Sequence, residues 1–571
     1  MRKEDVVEML NDIADMLEMK GESAFRVRAY REAARQVELL QEDITVLAVQ
    51  GRLTDIHGIG ESIAGKITEY VTTGRSTYRD QLAKTLPSGL SEILSIPGVG
   101  AKKAKIFYEN LGISTVDELE EAAKAHKLRE LPNIREKTEQ NVLEGIRRLK
   151  QQTGRLLLGV ALPAAEEIIR QLRSDPSVER IDVGGSIRRM QETIGDIDIL
   201  VSSSTPKEAI EAFTNLPAAK SVIAKGKTKA SVLTHQDLQI DLRVVSPDDW
   251  GAALQYFTGS KDHNIRLRSI AESRGLKISE YGIFRVDTGE KLAGKEECEI
   301  YETLGMACIP PELRTATGEI EAAMEGRLPN LIELSDIRGD LHSHTNWSDG
   351  ANPIEAMAEA AMALGYEYLA ISDHSVSMGF IHGLSTDRVR EQRRIIDELN
   401  DTYDGFRLLQ GIEVNIRSDG RLDYDDDVLA RFDVVTASIH SGLGQPMEVI
   451  TARLLSAIRN PHVDIIGHPT GRLIGRRDPS DFDRDAVFKA AAETGTALEI
   501  NSQPDRLDLK DIDVRHAKNL GADLAINSDA HTTTQLGGIR YGVAAARRGW
   551  VEKGRVLNAL PLDTLLDRLN R

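Results

Sequence analysis

Cysteine is nearly absent from this sequence, with Cys298 and Cys308 as its two copies among 571 residues. So few thiols exclude a fold that depends on a framework of disulfides, as small secreted proteins do. The two cysteines lie outside any recognisable metal-binding pattern. We therefore expect both to be reduced thiols, and we assign them no role.

Long hydrophobic runs are also missing, since the sequence contains no segment of 18 or more apolar residues. The first five residues lack the apolar core of a signal peptide. We expect a soluble, cytoplasmic protein that does not bind membranes and is a monomer. A chain of 571 residues exceeds the size of one hydrophobic core, so several domains are expected.

Basic residues are fewer than acidic ones: the sequence has 72 lysines and arginines and 90 aspartates and glutamates, which gives a net charge of −18. Taken alone, this balance argues against a nucleic-acid partner. Most of the excess negative charge falls in the C-terminal third, where metal ligands would account for part of it. Mild acidity elsewhere does not exclude local basic faces that bind DNA.

The segment 184–201 carries the most informative pattern. Asp196 and Asp198 stand in a β-branched, apolar run, so both carboxylates face one side of a predicted strand. Two such charges repel each other unless a cation lies between them, and hard oxygen ligands suit Mg²⁺. Just before them, the Gly-Gly-Ser turn at 184–186 lets backbone N–H groups approach an anion, with Arg189 nearby.

A second strand-like run, 238–245, supplies Asp241 as a third carboxylate, which two-metal phosphoryl transfer requires. On its own the Asp196 and Asp198 pair is equally consistent with a calcium site or a solvated sheet edge. Together, the glycine turn, Gly195, the aspartate pair and the later strand aspartate are typical of nucleotidyltransferases.

The N-terminal region predicts helices and phosphate-binding turns. Residues 1–50 show the apolar spacing of amphipathic helices, and their basic stretch 25–31 is either a solvated helix face or a DNA contact. Two Gly-x-Gly turns follow, each with Ala and Lys after it, and such turns aim backbone N–H groups at phosphates without reading bases. The candidate DNA-binding residues of these turns are Gly58, Gly60, Gly98, Gly100 and Lys102. A third copy at 131–138 lacks the glycines, so we expect it to be structural or a weaker contact.

After residue 335 the pattern changes to seven apolar runs, each leading into a helical stretch, which predicts a parallel β/α barrel. The runs are 337–344, 368–374, 407–415, 432–440, 463–468, 497–502 and 522–531. Barrels of this type place their sites at the carboxyl ends of the strands. The ionisable residues found there are His342, His344, Asp349, His374, Glu413, His440, His468, Asp529 and His531. A single histidine of this kind is usually a satisfied core residue, whereas nine ligands suffice for two or three ions of Zn²⁺, Mn²⁺ or Fe²⁺.

These motifs resemble family X DNA polymerases, which include polymerase beta, followed by a PHP (polymerase and histidinol phosphatase) domain. The polymerase resemblance rests on the pattern at 184–198, on Asp241 and on a Tyr-Phe-Thr-Gly-Ser turn at 256–260. The PHP resemblance rests on DLHSH, SDH, GIEVN, SIH, GHP and SDAH, and each recognised ligand position is filled. The resemblance covers nearly the whole chain.

The resemblance implies that Asp196, Asp198 and Asp241 are catalytic and hold two Mg²⁺. The residues that it implies for nucleotide binding are Gly185, Ser186, Arg189, Gly195, Tyr256, Phe257, Gly259 and Asn264. Arg268 would contact the template strand, although Asn264 and Arg268 are equally compatible with a polar helix surface. Ala161 stands where polymerase beta has a phosphate-contacting arginine, so triphosphate binding must depend on Ser186, Arg189 and other donors. For the PHP site, the resemblance implies two or three Mn²⁺ or Zn²⁺.

Lys66 matches the lysine that, in mammalian relatives, forms a Schiff base with an abasic sugar and cuts by β-elimination. A lysine can do this when burial or nearby positive charge lowers its pKa. Ser62 replaces a lysine that those relatives carry nearby. Lys66 is therefore either a lyase nucleophile or a phosphate contact.

The implied fold is multidomain. Residues 1–75 form a lyase-like, helical DNA-binding domain with the first helix-hairpin-helix, and 76–150 form a fingers-type helix-hairpin-helix domain. Residues 151–245 form an α/β nucleotidyltransferase palm, and 246–320 form a thumb-type domain that binds nucleotide and template. A linker, 321–335, leads to a seven-stranded β/α PHP metallo-phosphoesterase barrel, 336–571.

The implied function is a DNA-directed DNA polymerase that fills short gaps during repair, with gapped or nicked DNA and dNTPs as partners. The barrel would process 3′ ends as a 3′–5′ exonuclease, 3′-phosphatase or abasic-site (AP) endonuclease. Two alternatives are a template-independent nucleotidyltransferase and a DNA-end-binding scaffold with relic sites. The paired hairpins and Arg268 argue against the first, and the intact ligand sets argue against the second.

Overall fold

The computed structural model describes residues 3–40, 44–56, 58–73, 75–84, 93–94, 96, 99–132, 134–152, 155–376 and 382–569. These residues fold around separate hydrophobic cores, as the chain length predicts. We use palm for residues 155–245, thumb for 246–320 and barrel for 336–569. No helix in the described ranges is long and apolar enough to cross a lipid bilayer.

Helices with one apolar face build the two N-terminal cores. Met9, Ile13 and Leu17 recur at helical spacing and are buried, and Ser23 caps the second helix by accepting a hydrogen bond from the Arg26 N–H. The first core contains α1 (Lys3–Met19), α2 (Ala24–Leu39), α3 (Ile44–Val49), α4 (Glu61–Thr73) and α5 (Thr77–Lys84). The second contains α6 (Ala101–Leu111), α7 (Val116–Lys124) and α8 (Glu136–Gln152).

The palm is built on a five-stranded sheet of order β2-β4-β7-β6-β5. Its strands are β2 (Arg180–Val183), β4 (Ile197–Ser202), β5 (Ala219–Lys225), β6 (Lys229–Thr234) and β7 (Gln239–Val245), and β1 (Leu156–Leu157) pairs separately with β3 (Thr193–Ile194). The helices are α9 (Leu158–Leu172), α10 (Gly185–Arg188) and α11 (Pro206–Thr214). Strands β4 and β7 are parallel, and Asp198 lies opposite Asp241. Ile240, Leu242 and Val244 are buried, so Asp241 faces the open side of the sheet.

The thumb combines helices with a three-stranded sheet of order β10-β9-β8. Its elements are α12 (Trp250–Thr258), α13 (Lys261–Ser273), β8 (Leu276–Ser279), β9 (Gly282–Arg285), β10 (Lys291–Ala293) and α14 (Glu297–Thr303), followed by α15 (Glu319–Met324). Cys298 and Cys308 form a disulfide here, so the expectation of reduced thiols is wrong. The chain turns back after α14 and brings Cys308 to the first turn of that helix, which the spacing alone did not indicate.

The barrel contains seven parallel strands in sequence order. They are β11 (Gly339–Ser343), β12 (Tyr368–Ile371), β13 (Arg407–Asn415), β14 (Val434–Ser438), β15 (Ile465–Ile466), β16 (Ala497–Asn501) and β17 (Leu524–Asn527). A bridge between Ser343 and Ala530 brings the first and last strands together, so the sheet is nearly closed. Each predicted apolar run contains one strand, which confirms the seven-stranded barrel.

The helices of the barrel follow its strands along the chain. They are α16 (Ile354–Ala363), α17 (Thr386–Asn400), α18 (Asp426–Leu429), α19 (Met447–Ile458), α20 (Arg484–Thr494), α21 (Asp511–Asn519), α22 (Ile539–Arg548) and α23 (Leu562–Leu569). The strands are buried almost throughout, as expected for a parallel sheet covered by helices.

The barrel contacts both the palm and the thumb. Arg540 of α22 pairs with Glu166 of the palm at 2.8 Å, and Arg547 pairs with Glu312 of the thumb at 2.7 Å. Tyr541 packs into the hydrophobic core of the palm. One helix of the barrel therefore lies against both the palm and the thumb.

Gly542 of α22 packs so closely on the barrel that a methyl group has no room. A Cβ there would lie 2.1 Å from Ser502 Oγ and 2.8 Å from Ile526 Cγ2. We expect Gly542→Ala to destabilise the barrel by about 1–3 kcal/mol through overpacking. Gly537→Ala is the control, because a Cβ at Gly537 meets nothing within 4 Å. Calorimetric unfolding measures both variants, and equal midpoints would contradict the close packing.

Candidate active sites

Three carboxylates meet on the open face of the palm sheet. The register sets Asp198 opposite Asp241, and Asp196 directly precedes β4. Asp196 is exposed, whereas the other two are half-buried. Burial and the charges of Asp196 and Asp241 raise the pKa of Asp198. A bound cation would relieve this repulsion, so the geometry suits the predicted Mg²⁺ ligands.

Two further side chains contact Asp241. Lys229 Nζ lies 2.8 Å from Asp241 Oδ2, and Gln239 Nε2 donates to Oδ1 at 3.0 Å. Burial opposes ionisation of Asp241, but these two partners lower its pKa overall. The sequence analysis missed Lys229, because the contact crosses from one strand to the next.

The glycine turn is tied directly to the acidic strand. The Gly184 N–H donates to Asp198 O at 2.8 Å. Gly185 has a φ of +58°, and a Cβ there would lie 3.3 Å from Asp198 Oδ2, so this position requires glycine. The turn that carries Ser186 therefore lies beside the carboxylates. Gly195 approaches Arg155, whose Nη1 would be 3.3 Å from an added Cβ.

Two neighbouring arginines have different surroundings. Arg188 donates to both carboxylate oxygens of Glu297, at 2.7 and 2.8 Å. Burial opposes ionisation of Glu297, yet Arg314 and Arg188 lower its pKa to about 2. Arg189 donates to Thr258 O, and no carboxylate among the described residues pairs with it. A half-buried guanidinium without an acidic partner suits an anion, which is consistent with its predicted contact to triphosphate.

The predicted turn at 256–260 lies against the glycine turn. A Cβ on Gly184 would be 3.6 Å from Phe257, and the Arg243 guanidinium lies 4.6 Å from the Phe257 ring centroid. Gly259 has a φ of +70°, and a Cβ there would lie 3.1 Å from Arg189 Nη1. The structure therefore groups the predicted nucleotide-binding turns around Arg189.

The side-chain amide of Asn264 forms two hydrogen bonds within the thumb. Its Nδ2 donates to Tyr256 O at 2.8 Å, and its Oδ1 accepts from Gln255 Nε2 at 2.7 Å. Arg268 Nε donates to Asn264 O at 3.3 Å. Asn264 thus holds the 256–260 turn, and its contact with a nucleotide, like that of Arg268 with template, stays a prediction. Ala161 is fully buried in α9 and offers no phosphate contact.

The described parts of the two helix-hairpin-helix turns lead into their next helices in the same way. Gly60 O accepts from the Ile63 and Ala64 N–H groups, and Gly100 O accepts from Lys103 and Ala104 in the same way. The described candidates of these turns are exposed: Gly58, Gly60, Gly100 and Lys102. Gly98 lies outside the described residues. Exposed helix N-termini of this kind can donate to phosphates.

Lys66 lies in a small aromatic and polar cage. Its Nζ donates to Ser62 O and Ser62 Oγ, both at 2.8 Å, and lies 4.7 Å from the Tyr78 ring centroid and 5.9 Å from that of Tyr30. Burial and the charge of Arg26 lower the pKa of Lys66. The sequence analysis did not connect Tyr78 with Lys66, since the residues come together only when α5 packs beside α4.

The nine predicted ligands of the barrel converge on one pocket. Among the described residues, eight of them form three groups, and the ligand atoms of each group lie within 4.8 Å of one another. The first group is His344, Asp349, His374 and His531, the second is His342, His344 and Asp529, and the third is His374, Glu413 and His440. His468 Nε2 lies 2.9 Å from Glu413 Oε1 and joins the same pocket. His344 and His374 each belong to two groups, so the groups adjoin.

Charge is balanced around Glu413. Burial opposes ionisation of this carboxyl, but His440, His374 and His342 hold its pKa well below the usual range. Burial and the neighbouring His531 and His374 lower the pKa of His344 to about 4. Burial favours the neutral forms of His342 and His374, yet the nearby carboxylates of Glu499 and Glu413 raise the pKa of both imidazoles. A metal ion that bound here would therefore displace protons from these two ligands.

Several buried ring nitrogens in this pocket form no hydrogen bond with any residue that the structure describes. They are His342 Nε2, His344 Nδ1 and Nε2, His374 Nδ1, His440 Nδ1 and His468 Nδ1. Two of them lie close to carboxylate oxygens without hydrogen-bond geometry: His374 Nδ1 is 2.9 Å from Glu413 Oε2, and His344 Nε2 is 3.2 Å from Asp529 Oδ1. Buried polar atoms normally have partners, so these nitrogens are suited to ligate ions. Imidazoles mixed with carboxylates form a donor set for Zn²⁺ or Mn²⁺ rather than Mg²⁺.

Glu499 in β16 is a residue that the sequence analysis missed. It is fully buried and accepts from His342 Nδ1 at 2.7 Å and from the His468 N–H at 2.6 Å. Carboxylates of this kind orient a ligating imidazole and increase its basicity. The available signal was a glutamate between two apolar strand residues, Leu498 and Ile500.

Comparison with known proteins matches four parts of the chain to family models. These are a helix-hairpin-helix domain at residues 1–76, a SAM-like helix-hairpin-helix tandem at 90–148, a DNA polymerase beta thumb at 253–315 and a PHP domain at 340–503. DNA polymerase/3′-5′ exonuclease PolX of Bacillus subtilis (strain 168) is 42% identical over 573 residues, which span 100% of both chains. A probable phosphatase of Thermoanaerobacter sp. (strain X514) is 30% identical over 231 residues, 38% of this chain and 89% of that protein. A probable phosphatase of Shewanella oneidensis is 32% identical over 244 residues, 40% of this chain and 90% of that protein.

Replacement of Glu499 tests its support of the metal ligands. We expect Glu499→Gln to weaken binding of Mn²⁺ or Zn²⁺ by the barrel about 10–100-fold, because His342 loses its charged acceptor. Glu493→Gln is the control, since Glu493 is exposed on α20. Metal content after dialysis and titration calorimetry measure the effect. Equal affinity in the two variants would refute the assigned role.

Proposed function

Because the chain belongs to the family X DNA polymerases with a C-terminal PHP domain, we propose that it fills short gaps in DNA during repair and processes 3′ ends. The observation that carries the polymerase half of this proposal is the register of Asp198 and Asp241 beside the glycine turn. The relative of matching length is named as a DNA polymerase and 3′-5′ exonuclease.

In the palm, each group would have a separate task. Asp196, Asp198 and Asp241 would hold two Mg²⁺, which stabilise the attacking and leaving oxygens of an in-line displacement. Ser186 and Arg189 would bind the triphosphate and neutralise part of its charge. Lys229, which now pairs with Asp241, would have to leave that carboxylate when a cation binds. The chain's own contribution is therefore position and charge.

In the N-terminal domains, the two exposed hairpin turns would grip DNA phosphates on either side of a gap. Backbone donors contact phosphates regardless of sequence, as a gap-filling enzyme needs. This placement also supports templated synthesis over the template-independent alternative. Extension of a primer with one non-complementary nucleotide, at the rate of the complementary one, would favour that alternative.

In the barrel, the nine clustered side chains would hold two or three Mn²⁺ or Zn²⁺ ions, which generate hydroxide at neutral pH. Glu499 would fix the tautomer of His342, and Glu413 would lie between the ligand groups. The pocket would hydrolyse phosphoester bonds at DNA 3′ ends, as a 3′–5′ exonuclease, with 3′-phosphatase and AP endonuclease activity as related reactions. The relatives that span the barrel alone are named as probable phosphatases.

A lyase activity at Lys66 is a second candidate function. Its supporting observation is the lowered pKa of Lys66, which results from burial and Arg26. An amine must be neutral to attack the abasic sugar, and a lower pKa increases that fraction near neutral pH. Tyr30 and Tyr78 would shield the amine from solvent.

Paired substitutions test whether the two metal sites work independently. Asp198→Ala should reduce nucleotide incorporation on the order of 10³-fold, equal to about 4 kcal/mol, because the metals lose a shared ligand. It should leave 3′-end processing intact. His344→Ala should give the opposite result, because it opens the barrel site.

Both activities are measured on a one-nucleotide gap with either a clean or a 3′-phosphate primer end, with Mg²⁺ or Mn²⁺. Folding of each variant is checked by circular dichroism. If Asp198→Ala loses 3′-phosphate removal, the assignment of the nuclease to the barrel is wrong. Wild-type extension by Asp198→Ala would refute the palm assignment.

Lys66 can be tested separately by borohydride trapping on an incised abasic site. We expect Lys66→Ala and Lys66→Arg both to lose trapping, since neither side chain forms a stable Schiff base. Both should retain primer extension on a simple gap, because Lys66 lies outside the palm. If the wild type does not trap, while Lys66→Ala binds DNA more weakly than Lys66→Arg, Lys66 is a phosphate contact.

A further inference from the structure

The barrel contacts the polymerase domain at one turn of its candidate active site. Arg472 Nη1 and Nη2 donate to Glu192 Oε2 and Oε1, at 3.1 and 2.5 Å. Arg548 donates to Met190 O, and its Nη2 lies 3.9 Å from Glu192 Oε1. The side chains of Arg472, Arg548 and Glu192 are 9%, 1% and 15% exposed. Two arginines of the barrel therefore enclose the turn 190–192.

This turn connects the phosphate-binding segment of the palm to its metal-binding strand. It begins directly after Arg189 and ends four residues before Asp196. Met190 has a φ of +51°, a conformation that non-glycine residues rarely adopt without support from their surroundings. The Gln191 N–H donates to Ser186 O at 3.0 Å. A displacement of the turn would therefore move Ser186 and Arg189 relative to the carboxylates.

The two arginines are themselves held in place by the barrel. Arg472 also donates to Leu507 O, and Arg548 Nε donates to Asp511 Oδ2 at 2.9 Å. Arg472 belongs to the loop that begins at the candidate ligand His468, and Gly471 N–H donates back to His468 O at 2.9 Å. The guanidinium groups thus have fixed positions before they meet the palm.

We propose that Arg472 and Arg548 are positioning residues for nucleotide binding, and that they act across the interface by holding the turn 190–192. The inference rests on the proposed role of Ser186, Arg189 and Asp198 at the incoming nucleotide. Removal of one partner from a buried, bidentate pair leaves the other charge without its partner, so the turn changes position to solvate it. The barrel then supports polymerisation through a salt bridge, separately from its own hydrolytic chemistry.

The test uses the full chain with Glu192→Gln, Arg472→Gln, Arg472→Lys and the double variant Glu192→Gln/Arg472→Gln. Arg540→Gln is the matched control, because the Arg540 and Glu166 pair crosses the same interface without touching the turn. The measurements are kcat and KM for one dNTP on a one-nucleotide gap, the 3′–5′ exonuclease rate, and thermal unfolding. These separate nucleotide positioning from loss of docking or of folding.

Glu192→Gln and Arg472→Gln should each raise KM for the dNTP at least about fivefold with a smaller change in kcat, since ground-state binding is affected first. The KM of the double variant should not exceed that of the more impaired single variant, because both substitutions remove the same contact. Arg472→Lys should recover part of the loss. Arg540→Gln should retain wild-type KM, and Glu192→Gln should retain the wild-type exonuclease rate.

Wild-type KM in Glu192→Gln would overturn the proposal. An equal rise in KM in Arg540→Gln would also overturn it, because the effect would then come from general docking of the barrel on the palm. Failure of the proposed function gives a different result, because Asp198→Ala would then incorporate nucleotide at the wild-type rate. If Arg472→Gln does not fold, the isosteric Glu192→Gln variant still decides the outcome.

Discussion

Parallel pairing of neighbouring strands in register is the constraint on which both candidate sites depend. In the palm, the pairing of β4 with β7 sets Asp198 beside Asp241, although 42 other residues separate them in the chain. In the barrel, parallel strands present their carboxyl ends at one edge, so side chains from several strands meet in one pocket. A shift of one residue in either sheet would turn these side chains to the opposite face.

The two sites hold their charges together in different ways. The palm groups carboxylates that repel one another, and Lys229 offsets part of that repulsion at the sheet surface. The barrel surrounds buried carboxylates with imidazoles, several of which have ring nitrogens without hydrogen bonds in the described structure. This difference in donor type is the physical reason to expect Mg²⁺ in the first site and Zn²⁺ or Mn²⁺ in the second.

Side chains of the barrel contact both the palm and the thumb, so the domains are packed together. Helix α22 touches the palm through Arg540 and Tyr541 and the thumb through Arg547. Arg472 reaches the turn 190–192, which lies between the proposed phosphate-binding residues and the strand that carries Asp198. The turn is thereby connected to a barrel loop that also carries His468.

Local sequence was sufficient for the elements whose chemistry lies within a few residues. The Asp196 and Asp198 pair, the glycine turn and the candidate barrel ligands next to strand ends were recognisable because strand periodicity and short motifs determine which side chains share a face. The seven barrel strands followed from apolar runs of the right length. The grouping of the nine ligands was also foreseeable, since barrel strands end at one edge.

Tertiary structure alone decided the features that join distant segments. The disulfide between Cys298 and Cys308 depends on how the chain turns after α14, and the separation of the cysteines carries no such information. Glu499 became a partner of His342 only when β16 and β11 came together across the barrel, and Lys229 met Asp241 only through the pairing of β6 with β7. Arg188 and Arg189 are adjacent in sequence, yet packing pairs the first with the carboxylate of Glu297 and the second with the backbone oxygen of Thr258. These outcomes depend on burial and on contacts between remote residues, which periodicity and motif spacing along one chain do not specify.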